Sequence, residues 1–309
     1  MGEKNKILVI GGTGNMGRFI VEASVKAGHP TFVLVRESNF TDPVKGKLVE
    51  NFKNLGVTLL SGDIQDYENL LKAIKLVDVV ISAVGRSQSD IQYNIIAAMK
   101  EAGNIKRFVP SEFGMNVDAG HPIEPATSGY ALKAKIRRAI EAGGIPYTYI
   151  SCNCSFGFFL PTLAQPGATD LPREKIMMFG DGQHQGIFNK EEDIATYTIR
   201  AVVDPRAMNK TLYLRPPNNF YSFNELVSLW EKKIGKTLEK IFVTEDQIIQ
   251  MIKDASSMED KVMLVVNYSI FMKGEQTHFD IDPSSGVDSS VLYPDVDYAT
   301  VDKFLDQFI

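Results

Sequence analysis

The stretch Tyr130-Ala131-Leu132-Lys133-Ala134-Lys135-Ile136-Arg137-Arg138 sets a phenol and several cations on one helical pattern. On a helix Lys133 and Arg137 are one turn apart and share a face. Like charge and partial burial both lower a lysine pKa, which makes Lys133 a usable base near neutral pH. The competing reading is a solvated helix face. Other proton-transfer signatures are missing. A Tyr-x-x-x-Lys relay is not spelled out, because Ala134 stands four residues after Tyr130. There is no Gly-x-Ser-x-Gly elbow for a nucleophilic serine. His29, His121, His184 and His278 show no metal spacing, and Cys152 and Cys154, flanking Asn153, offer neither a disulfide framework nor zinc spacing. No metal site is expected.

A second chemistry-bearing motif is Gly11-Gly12-Thr13-Gly14-Asn15-Met16-Gly17, directly after an apolar run and opening an amphipathic one. Gly11 allows a tight turn, Gly14 lets backbone approach a pyrophosphate, and Gly17 lets helix and strand pack closely. The helix start then offers free N–H groups to phosphate. An ordinary tight turn is the competing reading. The end of the next strand, Val35-Arg36-Glu37, chooses between dinucleotides. Arg36 is a planar, permanent cation suited to a 2′-phosphate, with Lys45 as a second cation, so NADPH is the expected cofactor. Glu37 could instead serve the ribose of NAD, and Lys45 could be a solvated helix face.

Positioning these groups needs a particular frame. Strand-like runs at Lys6–Ile10, Thr31–Val35, Val57–Leu60, Val77–Ser82, Lys106–Val109 and Tyr147–Ile150 alternate with helical stretches at Asn15–Ala27, Lys45–Leu55, Tyr67–Lys75, Ile91–Ala102 and Gly129–Glu141. The strand cores are Val- and Ile-rich without polar alternation, as expected where both faces are covered. Strand–helix–strand repetition implies parallel strands with right-handed crossovers. The expected fold is α/β: a Rossmann-type, doubly wound parallel sheet of six strands, with a smaller mixed α/β C-terminal substrate domain. The expected division is residues 1–155 for the NADP-binding domain and 156–309 for the substrate-binding domain, interleaved with the sheet. Ser222-Phe223-Asn224-Glu225 and Thr244-Glu245-Asp246-Gln247 read as capping boxes at helix starts.

Composition narrows the function classes. The 309 residues carry 33 Lys+Arg against 38 Asp+Glu, so the chain lacks the basic excess that nucleic-acid binding requires. No apolar run approaches the ~18–20 residues that span a bilayer. The charged start, Met-Gly-Glu-Lys-Asn-Lys, fits neither a secretory signal nor a myristoylation pattern. A cytoplasmic enzyme with a small-molecule substrate is expected, with no nucleic-acid or membrane partner; a homodimer is compatible with this reading.

At Gly28-His29-Pro30-Thr31-Phe32, Pro110-Ser111-Glu112-Phe113-Gly114, Gly144-Ile145-Pro146-Tyr147-Thr148-Tyr149 and Trp230-Glu231-Lys232-Lys233-Ile234-Gly235-Lys236 the chain closely resembles the plant isoflavone reductase-like family of NADPH-dependent reductases, NmrA-like and atypical among short-chain dehydrogenases. The phenylcoumaran benzylic ether reductase branch looks nearest. The resemblance implies Lys133 as general base. It implies an NADPH site built from Gly11, Thr13, Gly14, Asn15, Met16, Gly17, Arg36, Lys45, Ser82, Arg137 and Asn153. It also implies reduction of a phenolic phenylpropanoid through a quinone methide. An alternative is a phenylpropene synthase, of the eugenol or isoeugenol type, or an isoflavone reductase-like enzyme of another aromatic metabolite; a further one is a dinucleotide-sensing regulator without turnover. Two departures fall where the substrate should lie: Phe158 stands in place of a pocket tyrosine, and Tyr268 in place of a histidine. Phe156, Phe158, Phe159, Tyr268 and Phe271 are the expected aromatic substrate wall, with plain core packing as the competing reading.

Overall fold

The computed structural model describes residues 4–120 and 122–309. The first three residues, read above for a leader, and His121 lie outside the described residues. Strand β1 (Ile7–Ile10) is four aliphatic residues, all buried. Its side chains alternate between two cores, as the period of a strand requires. Ile7 and Val9 join Ile20, Val21 and Phe52 on one face, while Leu8 and Ile10 join Leu70, Ile74, Ile95 and Ile136 on the other. That two-sided burial explains the unbroken apolar run. The remaining strands of the first half are β2 (Thr31–Val35), β3 (Thr58–Ser61), β4 (Val79–Ser82), β5 (Arg107–Val109) and β6 (Thr148–Ser151). Helices α1 (Gly17–Lys26) and α2 (Lys45–Asn54) cover one face; α3 (Tyr67–Lys75), α4 (Gln92–Ala102) and α5 (Ala126–Ala142) cover the other.

The order is β3-β2-β1-β4-β5, all parallel. This is a Rossmann-type doubly wound sheet, and its order reverses between β1 and β4, where such sheets open a ligand crevice. The expected six strands underestimate the sheet. A parallel bridge between Phe108 and Tyr147 carries it on to β6. Strand β6 then pairs in parallel with β10 (Lys210–Tyr213), and β10 with β13 (Gly286–Asp288). Strands from beyond residue 156 thus extend the nucleotide-binding sheet, and α6 (Glu191–Val203) packs with α1 on the same face. The sequence also reads as a strand over Thr211–Arg215, matching β10, whereas the three-residue β13, with Val287 as its one aliphatic residue, shows no period.

The rest of the second half forms a smaller mixed lobe. Strand β8 (Lys175–Phe179) pairs in parallel with β12 (Glu239–Val243). Strand β9 (Gln185–Asn189) lies between β7 (Cys154–Ser155) and β11 (Phe220–Ser222). Helices α7 (Phe223–Ile234), α8 (Glu245–Asp254) and α9 (Met258–Asn267) close the lobe. Both capping boxes form: the Ser222 and Thr244 hydroxyls accept from the Glu225 and Gln247 amides, whose side chains accept from the cap amides in return. The lobe's core gathers Phe156, Phe179, Phe223, Trp230 and Phe271, all fully buried. Among the described residues, no helix is long and apolar enough to cross a membrane.

Candidate active site

The glycine loop leaves β1 and turns at Gly11, whose φ of +83° suits glycine. A Cβ there would meet the Ala83 carbonyl oxygen at 2.6 Å, because the chain after β4 runs alongside. A Cβ on Gly17 would meet the Gly11 oxygen at 2.1 Å, so α1 can start this close to the turn only with glycine. The Gly14 amide donates to the Gly11 oxygen at 2.9 Å and closes the turn. Helix α1 has no side-chain cap and no acidic residue in its first turn; the Arg18 amide donates to the Gly14 oxygen, and the positive end of the helix faces the loop without a carboxylate beside it.

Gly11, Thr13 and Gly14 line one cavity together with Arg36 and Lys45. The Asn39 amide donates to the Thr13 hydroxyl at 3.1 Å, tying the β2 exit to the glycine loop. Asp42 accepts from the Lys45 amide at 2.8 Å, which starts α2 and sets Lys45 beside the cavity. The Lys45 and Val44 amides hold the Asp42 carboxyl below its ordinary range. Glu37 opens instead on a neighbouring depression with Ser38 and Asp63. A cradle with no room for a Cβ at Gly11 or Gly17, a helix start without a side-chain cap and two cations beyond it fit a dinucleotide with an added phosphate.

The other flank of the loop opens on a second, larger cavity of about 660 Å³. Asn15 and Met16 form its near wall, and Lys133, Tyr130, Asn153, Phe158 and Phe159 face it. Val262, Val266 and Ile270 supply further apolar wall. Asn153 sits at φ +58°, with its amide side chain donating to the Leu214 oxygen. Phe158 is 44% exposed at the mouth, and its ring meets Phe159 edge-on at 5.1 Å.

The Lys133 amine donates to the Glu112 backbone oxygen at 2.8 Å, in the loop after β5. Burial pulls its pKa below the usual lysine range; the Glu112 carboxylate opposes this, while Arg86 and, more weakly, Arg137 assist. Tyr130, one turn earlier, is pushed up by burial and by Glu275, so its hydroxyl stays protonated. Cys152, also at the cavity, is pushed up to about 12 by burial and is a neutral thiol.

Several expected residues sit elsewhere. Arg137 shares the helix face with Lys133 but is turned from both cavities onto Glu112, so the expected pair of neighbouring free cations is not formed. Ser82 is wholly buried beneath the crevice at the end of β4. Phe156 packs edge-on against Phe304, and Phe271 stacks on Phe179; both are core rather than cavity wall. Phe156–Phe159 is a single helical turn, which points Phe156 inward when Phe158 points out. The Tyr268 hydroxyl donates to Glu245 at 2.8 Å and faces a separate depression with Lys273, because a π-helical turn over Tyr268–Met272 directs it away. Tyr130, Arg86, Met115, Glu191 and Gln276 line the substrate-sized cavity without having been singled out as lining residues. Only Tyr130 carried a usable signal, its three-residue spacing from Lys133; the others arrive from distant loops.

A parallel sheet with a phosphate cradle at its switch point, joined to an apolar cavity holding a lysine, defines a nucleotide-binding α/β protein of the extended Rossmann type. The chain belongs to the NmrA-like family, whose model matches residues 3–305. It is 62% identical over 309 residues to phenylcoumaran benzylic ether reductase TP7 of Nicotiana tabacum, with 100% of both chains covered. It is 64% identical over 310 residues to eugenol synthase 2 of Clarkia breweri, again with 100% of each covered. Among solved structures, AtPrR2 with NADP+ and (+)-pinoresinol superimposes with a TM-score of 0.94 at 39% identity, covering 100% of both chains.

Proposed function

We propose that this chain is an NADPH-dependent reductase of phenylpropanoid-derived phenols that cleaves a benzylic C–O bond, with Lys133 as general base. The observation that carries this reading is the placement of the Lys133 amine. It is held on the Glu112 carbonyl, lowered in pKa by burial, and faces an apolar cavity that begins at the glycine loop. Such an amine is a fitting base for a phenol, whose pKa lies near 10.

In this reading Phe158, Phe159, Val262 and Ile270 hold an aromatic ring. Lys133 takes the proton of a ring hydroxyl para to the benzylic carbon. The phenoxide pair moves through the ring and the benzylic C–O bond breaks with its pair on the departing oxygen, leaving a quinone methide. NADPH, when bound at the glycine loop, supplies hydride to that electrophilic carbon. Lys133 then returns its proton to the regenerated phenoxide, and the departing oxygen takes one proton from solvent. Apolar walls exclude water that would otherwise add to the quinone methide. The compartment belongs to the proposal as well: a cytoplasmic location suits two buried free thiols.

Loss of an allylic ester leaving group uses the same base and hydride, with the phenoxide pair passing through the side-chain double bond to expel the carboxylate, and the relatives at 62% and 64% identity carry both kinds of name. Incubation with NADPH and either dehydrodiconiferyl alcohol or coniferyl acetate separates the two: an opened dihydrofuran ring marks the first, eugenol or isoeugenol the second. In either case Lys133→Met should lower kcat by ~10²–10⁴ while NADPH affinity is kept. Turnover within tenfold of the unaltered enzyme would overturn the assignment. Binding of NADPH without turnover of any phenol would favour a dinucleotide sensor.

A further inference from the structure

Arg137 and Glu112 form a buried pair that the proposed chemistry does not yet use. Arg137 is 2% exposed, and Glu112 is 7% exposed. The guanidinium grips the carboxylate with two bonds: Nε donates to Oε1 at 2.7 Å and Nη2 to Oε2 at 2.5 Å. Nη1 donates to Asn116 Oδ1 at 2.8 Å and to Asp118 Oδ2 at 2.9 Å. The guanidinium also lies over the Tyr149 ring at 4.3 Å. Four of the five N–H donors of this fork are therefore engaged, and their acceptors all belong to the 112–118 loop. That loop contains the carbonyl holding the Lys133 amine, and its next residue, Phe113, is strained at φ +38°.

We infer that Arg137 and Glu112 are positioning residues for the base: the fork clamps the loop so that the Glu112 carbonyl meets Lys133. The inference rests on Lys133 acting as the base. Isolated, either charge would displace the lysine pKa, in opposite directions. Glu112 raises the amine more than Arg137 lowers it, and burial, the largest effect, leaves it lowered. The other groups facing Lys133 are Arg86 from the loop after β4, Cys152 after β6, Glu191 at the start of α6, and Tyr130 on its own helix. None of these bridges the loop to α5 as Arg137 does. A buried ion pair is a weak source of stability, and replacing both partners is often tolerated where removing one is not. Its retention beside a lysine is better explained by placement and charge than by stability.

The test is the pH dependence of kcat/KM, whose acidic limb reports the base in the free enzyme. Arg137→Gln releases the loop and removes the weaker charge, and the limb should move to higher pH by roughly half a unit while kcat falls at least tenfold. Glu112→Gln removes the stronger charge, and the limb should move to lower pH by roughly one unit. Arg137→Lys keeps charge but loses the fork: the limb should stay while kcat falls at least tenfold. NADPH affinity, read by titration of cofactor fluorescence, should stay within about threefold in all three. Limbs that do not move, or that move the same way in both neutral variants, overturn the proposal. A fall in NADPH affinity with an unmoved limb overturns it too and returns Arg137 to the cofactor site. Should a single neutral variant fail to fold, the double variant Glu112→Gln/Arg137→Gln decides. A limb moved to lower pH with reduced kcat supports the clamp, and an unmoved or raised limb, or an unreduced kcat, refutes it. Lys133→Met separates the two levels: if it retains turnover, the base assignment fails before the clamp is judged.

Discussion

Replacing Arg36 tests the cofactor assignment where the structure makes it most specific. The side chain stands at the exit of β2, opposite the glycine loop, and lines the same cavity as Thr13 and Lys45. Against a 2′-phosphate it would make charge-assisted hydrogen bonds, each class worth about 1.5–3 kcal/mol. Arg36 is solvent-exposed, so water and salt screen it and the lower end applies. Arg36→Ala should then weaken NADPH by about 1.5–2 kcal/mol, a factor of roughly ten to thirty in Kd. NADH, which has a hydroxyl in place of that phosphate, should lose less than threefold. Lys45→Ala should produce a smaller change of the same kind, since a flexible ammonium loses more freedom on pairing. Isothermal titration calorimetry of both cofactors gives the comparison directly; the single Trp230 is buried in the second lobe, which makes it a poor reporter. Equal losses for NADPH and NADH would mean that Arg36 supports the loop rather than the phosphate. No loss for either would remove it from the site.

Further outcomes follow from the same geometry. Gly17→Ala places a Cβ 2.1 Å from the Gly11 oxygen, so α1 must shift; NADPH affinity should fall at least tenfold and the melting temperature by several degrees in a thermal scan. Because burial lowers Lys133, kcat/KM should rise with pH through a midpoint below the ordinary lysine value of about 10.4, and it should be lost as pH falls through that midpoint; a midpoint at or above that value would contradict a buried base. Phe158→Tyr adds a hydroxyl at the mouth of the larger cavity and should change KM for a phenolic substrate without moving NADPH affinity, measured by steady-state kinetics with each ligand varied in turn.

The nucleotide-binding half was legible because its signals are local. An uninterrupted apolar tetrad, a glycine at each point where backbone touches backbone, and helices with one apolar stripe identify the sheet and its cradle without knowledge of distant residues. The place of Lys133 at the larger cavity was legible from the helix that follows a strand. The substrate wall was not. Phe156 and Phe158 are two residues apart and have opposite fates, because one helical turn rotates between them. Tyr268 and Ile270 likewise diverge within a π-helical turn, and Ile270, the plainer residue, is the one at the cavity. The ion pair of Arg137 was hidden for a different reason: its partner Glu112 lies 25 residues away. Spacing along α5 shows which residues share a face, but not which loop descends upon that face. The places of β10 and β13 in the sheet escaped for a similar reason, since long-range pairing with β6 and with each other decides them.

The route of the chain through its sheet bears on how the molecule can be cut. Gly286–Asp288 caps an edge whose neighbours were laid down some 75 and 138 residues earlier, counting from Thr211 and Thr148. A polypeptide halted at residue 155 would expose the backbone of Thr148–Ser151 as a raw template for self-association. The two halves are therefore mutual scaffolds: the fragment carrying the phosphate cradle should precipitate when expressed alone, and should be rescued by co-expression of the remainder.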